Sequence, residues 1–131
     1  MSSIRYMKRN DTKPFLYATL SLYIDNDTST SLEKLDLTGA SVKFIMRKDN
    51  TVTPKIEQIL SEVEIIDAEE GSVMYRWQPG DTDTPGEYLA EFEVTDVDGY
   101  ILTIWDLRSE AQIQKNADPA PLRIVIVEDL G

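Results

Sequence analysis

Over residues 71–105 the chain runs GSVMYRWQPGDTDTPGEYLAEFEVTDVDGYILTIW, three successive stretches with aromatic residues at alternate positions. Side chains alternate sides along a β-strand, so this period marks strands with one buried face. Val73, Tyr75 and Trp77 share a face of the first stretch, and Tyr88, Ala90, Phe92 and Val94 share a face of the second. A loop rich in Pro, Gly and Asp separates them. Asp98-Gly99 then gives a hairpin signal before the third stretch, because both residues tolerate positive φ. A run of this kind predicts a β-sandwich.

The same period extends in both directions. Over residues 15–24, Leu16, Ala18, Leu20, Leu22 and Ile24 form an apolar row, with Phe15, Tyr17, Thr19, Ser21 and Tyr23 opposite. Ten residues is long for a strand, so a bend or bulge is expected. The polar tract 25–31 predicts a loop tip. LDLTGA (35–40) leads into a strand over 41–48, where Val42, Phe44 and Met46 alternate with Ser41, Lys43 and Arg47, and Ile45 breaks the polar face. Residues 49–61 are ambiguous. Ile56, Ile59 and Leu60 have helical spacing, Thr51, Val52 and Thr53 favour strand, and Pro54 interrupts any element crossing it. Val63 and Ile65 predict another strand before a turn over 67–71. Two prolines in 109–121 predict a linker or long loop. Leu122, Ile124 and Ile126 predict a last strand, and Val125 and Val127 on its other face, beside Arg123, call for a cover.

The expected organisation is an N-terminal arm over 1–13, a sandwich over 14–108, a linker over 109–121 and a C-terminal strand or arm over 122–131. The fold class is all-β, an antiparallel sandwich of about seven to eight strands.

Composition removes most chemistries. A chain of 131 residues buries roughly two-thirds of its unfolded surface, enough for a core without staples. Cysteine is absent, and with it disulfides, thiolate nucleophiles and thiolate metal sites. Histidine is absent too, which removes the commonest general base and the commonest metal ligand. The net charge is −11, from 24 acidic and 13 basic residues. That balance argues against nucleic acid, whose affinity for proteins comes largely from phosphate neutralisation. The basic cluster Arg5, Lys8 and Arg9 is short. No run approaches the ~18–20 apolar residues of a membrane span. The N-terminus, MSSIRYMKRNDTK, lacks the apolar core of a secretory signal, so synthesis in a cytoplasm is expected.

Local motifs have structural explanations. Pro85-Gly86-Glu87-Tyr88 matches a corner in which a tyrosine at a strand start bonds its hydroxyl to nearby backbone, with Ala90 inward two residues later. Trp77 is expected in the core. Asp25-Asn26-Asp27-Thr28-Ser29 with Asp36 loosely matches a calcium loop, but Thr30 stands where a glycine is needed and Asp36 where a bidentate glutamate is usual. A solvated turn is expected there. The pairs Glu69-Glu70 and Asp81/Asp83 sit in turn-rich segments and are read the same way. No Gly-rich phosphate loop and no G-x-S-x-G occurs. The expectation is therefore no catalytic residue, no cofactor and no metal.

Through LDLTGASVKFIMR and YRWQPGDTDTPGEYLAEFEVTDVDG, the chain resembles the immunoglobulin-like domain at the N-terminus of baseplate upper proteins. Related tail, fibre and neck proteins of tailed phages carry the same domain. The features that carry the resemblance are Asp36 to Ala40, Val42/Phe44/Met46, Gly71 before the strand ending near Trp77, Pro85-Gly86-x-Tyr88, and Asp98-Gly99. Lys8-Arg9-Asn10-Asp11-Thr12 is similar to the basic segment before an Asp-Thr pair in that family. The resemblance spans roughly residues 5–105 and implies an immunoglobulin-like sandwich in a virion structural module, often multimeric, with no catalytic residue. No long fibre portion follows the domain here, so a neck, tail or baseplate accessory is expected. The partners would be other virion proteins and further copies of the chain, with neither nucleic acid nor membrane. Residues offered for such contacts are Arg5, Tyr6, Lys8, Arg9, Tyr17, Tyr23, Arg123, Val125 and Val127. The alternative is an adhesion module that binds a host-surface glycan on exposed aromatics, and a carboxylate-based enzyme ranks third.

Overall fold

The computed structural model describes residues 4–25, 30–49, 53–58, 63–107, 121–128 and 130. Its centre follows from the period-2 pattern. β5 (Ser41–Lys48) pairs antiparallel with β9 (Gly86–Thr95), setting Phe44 opposite Phe92, Val42 opposite Val94 and Met46 opposite Ala90. All six of these side chains are buried. Along the other edge of β9, β10 (Ile101–Ile104) pairs with residues 92–95 and β11 (Leu122–Val127) with residues 86–90. β1 (Ile4–Lys8) lies parallel to β11, and β6 (Pro54–Gln58) lies antiparallel to β5. The order is β1-β11-β9-β5-β6, with β10 on β9.

A second sheet has the order β2-β8-β7, from β2 (Leu16–Thr19), β8 (Ser72–Tyr75) and β7 (Val63–Asp67). β3 (Ser21–Asp25) and β4 (Thr30–Lys34) form a separate hairpin. The two larger sheets share one core. The Phe44 ring stacks on Tyr75 at 4.5 Å, meets Phe92 at 5.2 Å and takes Trp77 edge-on at 5.9 Å. Burial of each such side chain contributes roughly 1.5–3 kcal/mol. Strands dominate, no helix occurs among the described residues, and the arrangement is consistent with a β-sandwich.

Several expectations need correction. Eleven strand segments stand where about seven to eight were expected. Part of the excess comes from a long strand that is interrupted. The row over 15–24 breaks at Leu20, whose N–H donates to the Gly71 carbonyl at 2.8 Å while its own carbonyl accepts from Leu35 N–H at 2.9 Å. Gly71 has φ +68°, and a Cβ there would lie 2.5 Å from the Leu20 oxygen, so this handover requires glycine. β10 and β11, expected as two strands, lie in line along the same edge of β9. Ile104 pairs with Phe92 and Leu122 with Ala90, so Leu122 stands where residue 106 would continue β10, and its N–H donates to the Trp105 carbonyl at 2.7 Å.

The segment expected as an N-terminal arm carries β1, and Leu122–Val127 is an internal strand between β1 and β9. Both lie outside the expected 14–108 sandwich, yet both belong to its larger sheet. Within the ambiguous stretch 49–61, Pro54–Gln58 form strand β6, which begins at a proline, a position where a missing N–H is tolerated, while Thr51 and Val52 lie outside the described residues. Ile59 and Leu60 fall outside the described residues, as do 26–29 of the expected loop tip and calcium-like tract.

The corner between β8 and β9 is held by side chains. Tyr88 is 1% exposed and its hydroxyl donates to the Thr84 carbonyl at 2.7 Å, with Ala90 buried two residues on. Asp81 is buried, contrary to the solvated turn expected for it. Its Oδ2 accepts from the Tyr75 hydroxyl at 2.5 Å and from Gln78 N–H at 2.7 Å. Thr82, also buried, ties the corner to the segment after β1, donating from Oγ1 to the Asp11 carbonyl at 2.7 Å.

Candidate functional site

β1 ends the larger sheet and β2 ends the smaller one, and the two strands face each other across a cleft of about 450 Å³. Its position follows from the alternation in each strand. Met7 of β1 and Leu16 of β2 point into the core and are buried. Their neighbours Tyr6 and Tyr17 are 67% and 58% exposed. Trp77, 4% exposed, also lines the cleft, and its Nε1 is buried with no hydrogen-bond partner. Phe15, half-buried, lines the approach from the β2 side.

The electrostatics differ from those of the chain as a whole. Arg5 lines the cleft, and no carboxylate among the described residues does. The Lys13 ammonium stands 5.6 Å from the Phe15 ring centroid and the Arg76 guanidinium 5.8 Å from it, within reach of cation–π attraction. Arg76 also donates to Glu64 at 2.9 Å on the exposed surface. In a chain of net charge −11, the charged side chain lining the cleft among the described residues is a cation, Arg5, and Lys13 stands beside Phe15 at its approach.

The nine residues offered from sequence divide into groups. Arg5, Tyr6 and Tyr17 line the cleft. Lys8, Arg123, Val125 and Val127 lie beside Tyr6 on the outer face of β1 and β11, where the parallel register sets Tyr6 against Val125 and Lys8 against Val127. Val125 and Val127 are half-buried there, and Arg123 Nη1 donates to Asp49 Oδ2 at 3.0 Å. Arg9 is held by Glu128 at 2.7 Å. Tyr23 belongs to β3, in neither group, and its side chain is outside the described residues. Sequence reasoning missed Phe15, Lys13 and Arg76 as cleft residues, because their meeting depends on how β1, β2 and β8 are stacked. It also missed the exposed tip of the β9–β10 hairpin, where Val97, Tyr100 and Ile101 are 73%, 74% and 65% exposed. Apolar residues flanking a two-residue turn were the available signal. Trp105, 40% exposed, lines a smaller cleft of about 260 Å³ with Ile45, Leu89 and Pro121.

Asp36 and Asp83 serve turns. Asp36 accepts from Thr38 Oγ1 at 2.6 Å and from Thr38 N–H at 3.0 Å, and these bonds hold its carboxyl below the usual range. Asp83 is lowered by its bond to Lys55 at 2.9 Å and by the Thr84 hydroxyl. Burial pushes the Tyr88 hydroxyl up. Among the described residues no group of three or more carboxylates is placed to hold a metal ion. No protein-family model and no curated protein sequence matches the chain.

Proposed function

We propose that the chain is a non-enzymatic structural component of a tailed-phage virion, a neck, tail or baseplate accessory or connector that works through protein–protein contacts. In this reading its fold is immunoglobulin-like. The strand order supports that assignment: β1 parallel to β11 at one side of β9-β5-β6, opposite a β2-β8-β7 sheet. The bond from the Tyr88 hydroxyl to the Thr84 carbonyl supports it too, as the tyrosine corner of such sandwiches. The observation that carries the function is the gathering of aromatic and apolar side chains along one open side, exposed Tyr6 and Tyr17 with half-buried Phe15 in the cleft and half-buried Val125 and Val127 beside it. The chain needs no cofactor, is made in the host cytoplasm, and joins other virion proteins and copies of itself in the particle.

The test is quantitative mass spectrometry of purified tailed particles from cells that encode the chain. A fixed copy number per particle is the expected result, and absence from particles overturns the reading. Light scattering of the isolated chain across a concentration series then gives the symmetry of any ring. A second reading, glycan binding, is favoured by Tyr6 and Tyr17 standing exposed at one cleft. It requires a glycan-dependent rise in melting temperature, and a flat response across a surface-glycan panel removes it.

A further inference from the structure

We propose that the cleft between β1 and β2 takes an extended segment of a partner protein, one that alternates apolar with acidic residues and pairs as an added strand with β2. The inference rests on the assembly reading above and names its site and partner chemistry.

Backbone geometry comes first. β8 is the partner of β2 on one side, and among the described residues no strand pairs with its other side. The smaller sheet therefore has three strands, where immunoglobulin-like sandwiches of constant type carry four. Among the described residues no strand occupies the fourth position, beside β2 along the wall of the cleft. An edge of this kind offers N–H and C=O groups to an incoming strand, and strand addition is a recurrent mode of peptide recognition.

Side-chain chemistry then selects the occupant. An added strand would turn every second side chain toward Leu16 and Trp77, where an apolar group is accommodated. The intervening side chains would pass near the Lys13 ammonium beside Phe15, which favours carboxylates, while Arg76 already pairs with Glu64. A glycan fits less well. Sites for sugars combine an aromatic platform with carboxylate or amide groups that bond hydroxyls, and among the described residues the cleft is lined by no Asp, Asn, Glu or Gln. A second copy of β1 fits poorly too, since Arg5 and Lys8 would meet Arg5 and Lys8.

The test uses the full chain and two synthetic probes of about eight residues, one alternating glutamate with valine and phenylalanine, the other with lysine in place of glutamate. Binding is read by tryptophan fluorescence and by hydrogen exchange. The glutamate probe is expected to bind and to slow exchange at the amides of Leu16–Thr19. Lys13→Glu should weaken it about tenfold and bring the lysine probe to comparable affinity. Phe15→Ala, which carries no charge change, should weaken both probes without lowering the melting temperature by more than a few degrees. No binding of the glutamate probe at about 1 mM, equal binding of the two probes to the unaltered chain, or protection confined to other strands each overturns the proposal. Particle mass spectrometry keeps the two ideas separate. A chain present in particles whose cleft ignores the probe retains the virion role and loses the cleft; a chain absent from particles that binds the probe retains the cleft and loses the virion role.

Discussion

Asp81→Ala should be the most damaging single substitution in the turn between β8 and β9, and its cost can be apportioned. The change deletes the acceptor for the Tyr75 hydroxyl, at 2.5 Å, and for Gln78 N–H, at 2.7 Å. Hydrogen bonds to a charged group contribute about 1.5–3 kcal/mol each, and a buried donor left alone adds its desolvation cost. Tyr75 is 0% exposed, so its bond to the carboxylate is shielded from solvent. The expected loss is about 3–5 kcal/mol, a large share of the roughly 5–15 kcal/mol available to a domain. Tyr75→Phe keeps the ring stacked on Phe44 at 4.5 Å and removes only the donor, for an expected loss of about 1.5–3 kcal/mol. In the double variant no hydroxyl is orphaned, so its cost should not exceed that of Asp81→Ala alone, a coupling of about 1.5 kcal/mol or more. The assay is urea unfolding of all four proteins, with the slope held constant so that midpoints report stability. Additive losses, or a loss under about 1 kcal/mol for Asp81→Ala, would refute the argument that this carboxylate anchors the core hydroxyl.

Gly71→Ala should cost roughly 2–4 kcal/mol by denaturation, because φ is +68° and the new Cβ would meet the Leu20 oxygen at 2.5 Å and the Leu35 oxygen at 2.9 Å. Truncation after residue 117 should abolish cooperative unfolding in circular dichroism, since Leu122, Ile124 and Ile126 are buried and together contribute about 5–9 kcal/mol; a folded remainder would make the segment an arm. Stability should fall below about pH 4, because Asp36 and Asp83 have folded pKa values below their unfolded ones and protonation favours the unfolded chain; Asp83→Asn should flatten that limb. At the other end the Tyr88 pKa is raised, so its contribution is intact below about pH 10 and is lost as pH climbs through the folded value; Tyr88→Phe should cost about 1 kcal/mol at neutral pH and soften the alkaline limb.

What the sequence disclosed depended on whether a residue's neighbours were local. Tyr88, Ala90, Phe92 and Val94 announced β9 because alternation is a property of one strand, and their burial follows. The tyrosine corner was legible for the same reason: donor and acceptor are four residues apart. β4 was not legible, since Thr30–Lys34 is polar and is a strand only through its pairing with β3. Asp81 looked like any acidic turn residue, because its burial is set by Tyr75 and by the folding back of the corner. The place of Leu122–Val127 between β9 and a parallel β1 depends on contacts across more than a hundred residues. The cleft was half legible. Tyr17 was identified on the face opposite the aliphatic row, whereas Lys13, Phe15 and Arg76 meet only when β2 and β8 are in register.

The charge distribution bears on why an open sheet edge is tolerable. Exposed edges invite pairing between identical chains, and natural sheets discourage it with charge. Here each copy carries −11 overall, which opposes association at long range, and Arg5, Lys8 and Arg9 lie at or just beyond β1, so two such edges meet like charge with like. The same cations that repel a second β1 edge attract an acidic segment once it is within a screening length, about 8 Å at physiological salt. On the proposal above, the cleft between β1 and β2 would disfavour a second β1 edge and admit a strand of opposite charge. Contacts between copies in a ring would then fall to surfaces without that cationic rim. The β9–β10 tip is one, where Val97, Tyr100 and Ile101 stand exposed beside Asp96 and Asp98. A partner strand at one side and copies at the other would give the sandwich two separate faces, which is what a connector requires.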